Sequence, residues 1–214
     1  MKLCVVGLGY IGLPTACLFA KAGVDVIGID IDSKKVEKVQ KGIAPFEEPG
    51  FAELLSRVVK TKKLTASVDA SKCHEADVII ISVPTPVKNR KMDAVPLQNA
   101  VSSIACVIKK GALVVIESTI SPNTTSVMVR ELIEKKSELK AGKDFMLAHC
   151  PERAFPGKTL FEIVNNDRVI GGFDEKSTKT AVEFYSKIVT GGHIYPTTAT
   201  TAEIVKLSEN TFRD

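Results

Sequence analysis

Two hydrophobic periods alternate along the first 30 residues of the chain. Residues 2–6 form a short apolar run that ends at Gly7, whereas residues 11–22 carry apolar side chains at helical spacing. A second run, residues 25–30, is rich in β-branched side chains and follows Gly23, which is placed to end the helix. This order predicts a β-α-β unit and, from it, a parallel sheet.

The same alternation continues along the rest of the chain. Residues 78–83 and 113–117 are apolar runs typical of central strands that are covered on both faces. The other predicted elements are helices at 33–40 (with Asp32 as N-cap), 51–60, 97–109, 124–136 and 175–188, weaker strands at 64–68, 145–148 and 168–170, a polar loop at 87–96, and a last helix from Thr200. We therefore expect an α/β fold with a doubly wound, mostly parallel sheet of about seven strands.

Composition and charge exclude several classes of protein. Hydrophobic residues make up 44% and charged residues 25% of the 214 residues, which are ordinary values for a folded domain. No apolar run reaches the length of about 18 residues that suggests a transmembrane helix. The 29 basic residues, against 25 acidic ones, occur in short mixed clusters without Trp, unlike the basic and aromatic stripe of a nucleic-acid-binding surface. The sequence predicts neither a membrane segment nor a nucleic acid partner.

The five cysteines, Cys4, Cys17, Cys73, Cys106 and Cys150, are widely spaced along the chain. They form no C-x-x-C pair and no zinc-binding spacing. Cys4, Cys17 and Cys106 lie in apolar segments, where a free cysteine behaves as a small hydrophobic residue. Because the N-terminus also begins directly with a strand pattern, we expect free thiols, a cytoplasmic protein and no metal.

A glycine-rich string joins the first predicted strand to the first helix. Gly7, Gly9 and Gly12, with Tyr10 and Ile11 between them, fit the pattern G-x-G-x-x-G. In that pattern the first glycine permits a tight turn, the second lets the backbone approach a pyrophosphate, and the third lets helix and strand pack closely. A tight turn without a ligand would show the same spacing, so the string alone is a weak signal.

An acidic residue after the second strand strengthens the ligand hypothesis. Asp30 lies 18 residues after Gly12, where a carboxylate accepts hydrogen bonds from the ribose hydroxyls of a dinucleotide. A carboxylate there repels a 2′-phosphate, which favours NAD over NADP. Lys35 is close enough in sequence to weaken that preference.

Polar residues follow the later strands at the edge where such folds bind ligands. Thr85 follows residues 78–83 and Thr119 follows residues 113–117, although a helix cap or turn would explain either hydroxyl. Glu152 and Arg153 then follow the strand near residue 147, where they suit acid-base and phosphate or sugar contacts or, alternatively, a surface ion pair.

The neighbouring His149 and Cys150 suggest a thiol-imidazole pair at first sight. Adjacent strand residues point to opposite faces, however, so we expect structural roles for both.

The last predicted helix carries a polar face. Lys206, Asn210 and Arg213 are spaced i, i+4 and i+7, and Glu203 falls on the same face. Taken alone, this face is most simply explained as a solvated polar stripe, but the family resemblance described below favours a functional face. The chain stops at Asp214 in mid-helix without a cap, which indicates a fragment end rather than a natural domain edge.

Taken in order, these segments resemble the UDP-glucose/GDP-mannose dehydrogenase family. The strings that carry the resemblance are VVGLGYIGLP, VPTP, ESTISP, CPER and AEIVKLSEN, and they cover the whole chain. The resemblance implies a Rossmann-like NAD-binding domain at residues 1–198 and the start of a central dimerisation helix at 199–214. It also implies an absent C-terminal UDP-binding domain and a homodimer for the full-length protein.

Within the family, NDRVIGG and HCPERAFPGK are most similar to enzymes that act on UDP-N-acetyl-D-mannosamine. Members that act on UDP-glucose usually carry a second glutamate where this chain has Pro156. The implied reaction oxidises the C6 alcohol to a carboxylate with two successive NAD molecules and a cysteine nucleophile.

The resemblance also implies a role for individual residues. Lys206 and Asn210 would stabilise an oxyanion and contact substrate, while Glu152 and Thr119 would position the hydrolytic water. Arg153, Ala154 and Arg213 would contact substrate. The implied cofactor residues are Gly7, Gly9, Tyr10, Ile11, Gly12, Asp30, Lys35, Thr85 and Thr119.

None of the five cysteines matches the family's nucleophile, which lies downstream of the segment matching Lys206. We therefore expect this chain to bind NAD without turning over a UDP-sugar substrate. Two alternatives remain open. One is a dehydrogenase of another UDP- or GDP-sugar, and the other is a non-catalytic NAD-binding module.

Overall fold

The computed structural model describes residues 1–213, with side chains described as far as Phe212. Strands and helices alternate along this range. The strands are β1 (Lys2–Val6), β2 (Asp25–Ile29), β3 (Leu64–Ser67), β4 (Val78–Ile81), β5 (Val87–Lys88), β6 (Lys91–Met92), β7 (Leu113–Ile116), β8 (Met146–His149), β9 (Arg168–Gly172) and β10 (Ile194–Thr198). The α-helices are α1 (Gly12–Lys21), α2 (Ser33–Gln40), α3 (Phe51–Lys60), α4 (Val95–Ala105), α5 (Arg130–Ser137), α6 (Thr159–Asn165), α7 (Glu175–Tyr185) and α8 (Ala199–Arg213).

The main sheet has eight strands in the order β10-β9-β8-β7-β4-β1-β2-β3. Neighbouring strands run parallel except for β8 and β9, which are antiparallel. The chain moves from β1 outward to β3 and then crosses to β4 on the other side of β1. Ligands of doubly wound sheets bind where the strand order reverses in this way, so the carboxyl ends of β1 and β4 mark the expected site.

Apolar layers cover both faces of this sheet. The central strands β4 and β7 are buried along their whole length, because helices pack on both of their faces. Alternate residues of β1 enter different layers. Leu3 and Val5 pack with residues of α1, α3 and α7, whereas Cys4 and Val6 pack with residues of α4 and α5. The predicted doubly wound, mostly parallel α/β fold is confirmed.

Two elements of the main domain are absent from the sequence prediction. The prediction of about seven strands is wrong by one strand, because Ile194–Thr198 forms β10 at the edge of the sheet. This strand is mostly exposed and contains Pro196, so it lacks the apolar run of a central strand. The segment after the Pro-Glu-Arg string also contains α6, a helix of 7 residues, which is too short for a clear periodic pattern.

Two further segments depart from their predicted form. The predicted polar loop at 87–96 contains a small hairpin, in which β5 pairs with β6. Asn89 and Arg90 both have positive φ at its tip, as a tight hairpin turn requires. The helix predicted at 124–136 begins as a π-helix, Thr124–Val129, and becomes α-helical only from Arg130.

The cysteines differ from the expected set of five free thiols. Cys4 of β1 forms a disulfide with Cys73 of the 3₁₀ helix Ala70–Glu75, so the prediction that Cys4 is free is wrong. Cys106 is exposed, contrary to its expected place in the core, whereas Cys17 and Cys150 are buried free thiols. Within residues 1–213, no helix has the length and apolarity needed to cross a membrane.

Candidate functional site

A long cleft of about 870 Å³ opens at the carboxyl edge of the central strands. It is lined by the glycine loop between β1 and α1, by α4, and by the segments that follow β2, β3, β4, β7 and β8. This volume is typical of small-molecule sites. The predicted residues that line the cleft are Gly7, Gly9, Tyr10, Ile11, Asp30, Lys35, Thr85, Thr119 and Glu152.

The three motif glycines have different surroundings. A Cβ on Gly7 would lie 2.1 Å from the carbonyl oxygen of Ser82, and a Cβ on Gly12 would lie 2.0 Å from that of Gly7. Gly7 also has φ +98°, a conformation that L side chains rarely adopt. A Cβ on Gly9 would meet no described atom within 4 Å and would project into open space. Gly7 and Gly12 therefore permit the turn, while Gly9 leaves room for a ligand at the start of α1.

Tyr10 lines the cleft at its solvent-exposed edge. The residue is 53% exposed, and its ring stacks on that of Phe46 with a centroid distance of 4.3 Å. Phe46 stacks in turn on Phe51 of α3, with centroids 5.0 Å apart. Ile11 is half-buried next to Tyr10 and faces the cleft. The aromatic stack therefore fixes the glycine loop to the start of α3.

Asp30 follows β2 and is held at the cleft edge by three donors. It accepts hydrogen bonds from the backbone N–H of Leu8 at 2.8 Å and of Asp32 at 3.0 Å, and Lys35 forms an ion pair with it at 2.8 Å. Burial alone would raise the pKa of Asp30, but Lys35 and the two backbone donors outweigh it and hold that pKa below its usual value. Asp30 therefore remains charged, with Lys35 beside it.

Hydroxyl groups join the segments that follow β4 and β7. The Thr85 hydroxyl donates to the carbonyl oxygen of Thr119 at 2.6 Å. The Ser118 hydroxyl accepts from the N–H of Val83 at 2.9 Å and donates to its carbonyl oxygen at 2.7 Å. Thr85 and Thr119 thus lie next to each other at the same end of the cleft, as their positions after neighbouring strands predict.

Glu152 follows β8 and is buried in the cleft wall. Its Oε1 accepts the backbone N–H groups of Arg153 at 2.6 Å and Ala154 at 2.9 Å. Its Oε2 forms an ion pair with Arg168 of β9, a close contact that has no aligned hydrogen bond. Glu152 is therefore fixed as an acceptor beside the end of the cleft that contains Thr119.

Three buried polar residues behind Glu152 were not singled out from the sequence. Arg168 of β9 is only 1% exposed, and the ring of Tyr185 lies against its guanidinium. The Tyr185 hydroxyl donates to Glu117 at 2.8 Å, and Glu117 itself lines the cleft. Burial raises the pKa of Glu117 to about 7. The sequence signal was weak, because Glu117 directly follows an apolar strand and Arg168 begins another, whereas nothing in the sequence marks Tyr185.

His149 and Cys150 are both buried. Burial lowers the pKa of His149 to about 3 and raises that of Cys150 to about 12. Both side chains are therefore neutral near pH 7, and Cys150 is a weak nucleophile there, because thiolate is the reactive form.

The loop after Glu152 is attached to the last helix. Arg153 forms an ion pair with Glu209 of α8 at 2.8 Å and donates to the carbonyl oxygen of Asp167 at 3.3 Å. Ala154 packs partly against the core. Neither Arg153 nor Ala154 is among the residues that line the cleft, and their predicted substrate contacts stay predictions.

The polar face of α8 is largely buried rather than solvated. Glu203 is fully buried and accepts the backbone N–H groups of Asn123 at 2.6 Å and Thr125 at 2.8 Å. Lys206 is 8% exposed, and Asn210 is half-buried. A solvated polar stripe therefore does not describe these residues, in agreement with the roles that the family resemblance implies for this face. The predicted contact of Arg213 lies outside the described side chains.

A glycine turn at a helix N-terminus, an acidic residue after β2 and a cleft at the reversal of strand order together define a dinucleotide-binding domain. The chain belongs to the UDP-glucose/GDP-mannose dehydrogenase family, because residues 1–189 match the NAD binding domain of that family. Its cofactor is therefore NAD.

Similarity to individual dehydrogenases extends over nearly the whole chain. The UDP-N-acetyl-D-mannosamine dehydrogenase of Pyrococcus horikoshii is 45% identical over 214 residues, which is 100% of this chain and 51% of the relative. Its solved structure superposes with a TM-score of 0.97 at 44% identity, over 100% of this chain and 50% of that one. An NDP-N-acetyl-D-galactosaminuronic acid dehydrogenase from Methanosarcina mazei Go1 is 43% identical with a TM-score of 0.94, over 99% of this chain and 47% of that one. The chain thus spans about half the length of these relatives.

Proposed function

We propose that this chain binds NAD along the cleft and presents it to a nucleotide-sugar substrate of a 6-dehydrogenase. The observation that carries the proposal is the continuity of the cleft, which runs from Gly9 and Asp30 to Thr119 and Glu152. One end is suited to a dinucleotide, and the other provides a buried carboxylate. A module that only binds a nucleotide has no evident need for that carboxylate.

The cleft residues fit the parts of NAD. The open face of Gly9 and the N-terminus of α1 suit the pyrophosphate, and the charged carboxylate of Asp30 suits the ribose hydroxyls. Ile31 and Val68 are exposed apolar side chains on the cleft wall and suit a planar base. The remaining proposed contacts are those of Gly7, Tyr10, Ile11, Gly12, Lys35, Thr85 and Thr119.

NAD supplies a hydride acceptor when it is bound, and the residues of this chain would orient and stabilise the reacting groups. Glu152, fixed by two backbone donors and Arg168, is suited to hold a water molecule together with Thr119. We assign oxyanion stabilisation to Lys206 and Asn210. Arg153, Ala154 and Arg213 are assigned to substrate binding.

We propose UDP-N-acetyl-D-mannosamine as the substrate and its C6 alcohol as the group that is oxidised to a carboxylate. The identity of 45% to an enzyme described as acting on this sugar supports the assignment. The relative described as an N-acetyl-D-galactosaminuronic acid dehydrogenase is 43% identical. Because that value is nearly as high, oxidation of another N-acetylated nucleotide sugar is the second candidate.

We further propose that residues 1–198 form the NAD-binding domain and that residues 199–214 begin a central helix through which the full-length enzyme forms a homodimer. The family's nucleophilic cysteine would then lie beyond residue 214. On this proposal the present chain binds NAD without turnover, and the complete enzyme releases two NADH per sugar.

The test uses both forms of the protein. Calorimetry should detect NAD binding to the present chain, which should produce no NADH with UDP-N-acetyl-D-mannosamine. The complete enzyme should oxidise this sugar with a higher kcat/KM than UDP-N-acetyl-D-galactosamine, UDP-glucose or GDP-mannose. Preference for another sugar would refute the substrate assignment, whereas steady turnover by the present chain would refute the proposed division of the protein.

A further inference from the structure

Glu117, Tyr185, Arg168 and Glu152 form a buried polar cluster at one end of the cleft, which Glu117 and Glu152 line. Each is at most 7% exposed, yet they come from different parts of the sheet and its helices. Glu117 follows β7, Glu152 follows β8, Arg168 begins β9 and Tyr185 ends α7. Cys150, which directly follows β8, also faces the Arg168 guanidinium.

The cluster has one cation for two carboxyl groups. Burial raises the pKa of Tyr185 and of Cys150, which keeps both neutral. If Glu117 and Glu152 were both ionised, a net negative charge would remain buried, which is unfavourable in a medium of low polarity. A proton on one of the two carboxyl groups restores neutrality.

The contacts indicate which carboxyl group carries that proton. Glu152 accepts two backbone N–H groups and pairs with Arg168, so donors surround it. Glu117 accepts only the Tyr185 hydroxyl, and its Oε2 has no hydrogen-bond partner among the described residues. Burial raises the pKa of Glu117 from 4.5 to about 7, against the opposing effects of Arg168 and Tyr185.

We propose that Glu117 is a positioning residue for Glu152: when protonated it leaves Arg168 to pair with Glu152, and when ionised it competes for the same guanidinium. This inference rests on the proposed function only for the role of Glu152 in holding a water molecule. Protonation of Glu117 then holds Glu152 in the orientation that faces the cleft. When Glu117 loses its proton above neutral pH, Glu152 is held less firmly in that orientation.

The backbone amides of Arg153 and Ala154 report on this coupling, because both donate to Glu152. In ¹⁵N NMR spectra of the present chain, their resonances should shift with a midpoint near pH 7. Glu117→Gln mimics the protonated carboxyl and keeps an oxygen for Tyr185, so the shifts should disappear in this variant. The amides of Gly157 and Thr159 donate to Glu48 instead and serve as internal controls.

A second variant keeps the test decisive if Glu117→Gln does not fold. Tyr185→Phe removes a donor that lowers the pKa of Glu117, so the midpoint should move to higher pH. A merely structural role would change stability without moving a midpoint. The proposal is overturned if the Arg153 and Ala154 amides show no transition near neutral pH, or if they titrate equally in Glu117→Gln.

Stability provides an independent readout. The pKa of Glu117 is raised above its usual 4.5 in the folded chain, so the wild type should lose stability relative to Glu117→Gln as the pH rises from about 4.5 to about 7, and the difference should then level off. A constant difference across this range would contradict the proposal. NAD calorimetry is separate from these measurements, so failure of the proposed function leaves them interpretable.

Discussion

Gly9 and Gly12 lie in the same turn, but only Gly9 has room for a side chain. An added Cβ on Gly9 meets no described atom within 4 Å, whereas one on Gly12 would lie 2.0 Å from a backbone oxygen. Gly9→Ala should therefore weaken NAD binding at least about tenfold, or about 1.4 kcal/mol, with an unfolding free energy within about 0.5 kcal/mol of the wild type. Calorimetry and chemical denaturation measure the two quantities.

Gly12→Ala is the matched comparison at the other end of the motif. Its methyl group must displace backbone, so it should lower the unfolding free energy by about 1–3 kcal/mol. If Gly9→Ala proved the more destabilising substitution, the division of roles between the two glycines would be wrong.

Local spacing explains why some site residues were predictable and others were not. The three glycines and Asp30 lie within one β-α-β unit, so their arrangement follows from short-range geometry. The hydrogen bond between Tyr185 and Glu117 joins residues 68 positions apart. Nothing in the spacing of either residue indicates the other, because they meet only through the long-range packing of α7 against β7.

At the scale of elements, Glu203 joins α8 to the start of the π-helix Thr124–Val129. Its carboxylate accepts two backbone N–H groups, those of Asn123 and Thr125, which would otherwise be buried or partly buried donors without a helical partner. Glu203→Gln should lower the unfolding free energy by about 1–3 kcal/mol, because the amide NH₂ faces one of these donors. Hydrogen exchange of the two amides should accelerate.

Glu131→Gln is the control for this substitution. Glu131 lies in α5 and, among the described residues, forms an exposed ion pair with Arg130, so loss of its charge should change stability by less than about 1 kcal/mol. Equal effects of the two substitutions, or unchanged exchange at Asn123 and Thr125, would show that Glu203 does not anchor α8.

The elements that were predicted share a strong hydrophobic pattern. The buried strands β4 and β7 are apolar along their length, and Asp32 caps α2 through the N–H groups of Lys34 and Lys35, as its position predicts. The edge strand β10 and the short helix α6 bury few side chains. Tertiary pairing forms these elements, so their own residues carry little periodic signal.

At the scale of the whole molecule, NAD binding and folding are linked. A ligand that binds only the folded chain stabilises it by about 2.7 kcal/mol at about 100 times its Kd. For a domain of this size, that free energy raises the Tm by about 5–10 °C. Thermal unfolding of the present chain with increasing NAD measures this shift, and NADP should produce a smaller one because its 2′-phosphate meets the charged Asp30.

The contribution of Asp30 can be separated from general stability by comparing ligand-induced shifts instead of absolute Tm values. Asp30→Asn removes the charge that would face the ribose. The rise in Tm caused by NAD should therefore become smaller, and it should differ less from the rise caused by NADP. Asp25→Asn changes the opposite end of β2, where Asp25 forms an exposed ion pair with Lys63, and should keep both shifts. Equal shifts with NAD and NADP in the wild type would show that Asp30 does not select the cofactor. If NAD raised the Tm of Asp30→Asn as much as that of the wild type, the glycine loop and Lys35 would provide the affinity without the Asp30 carboxylate.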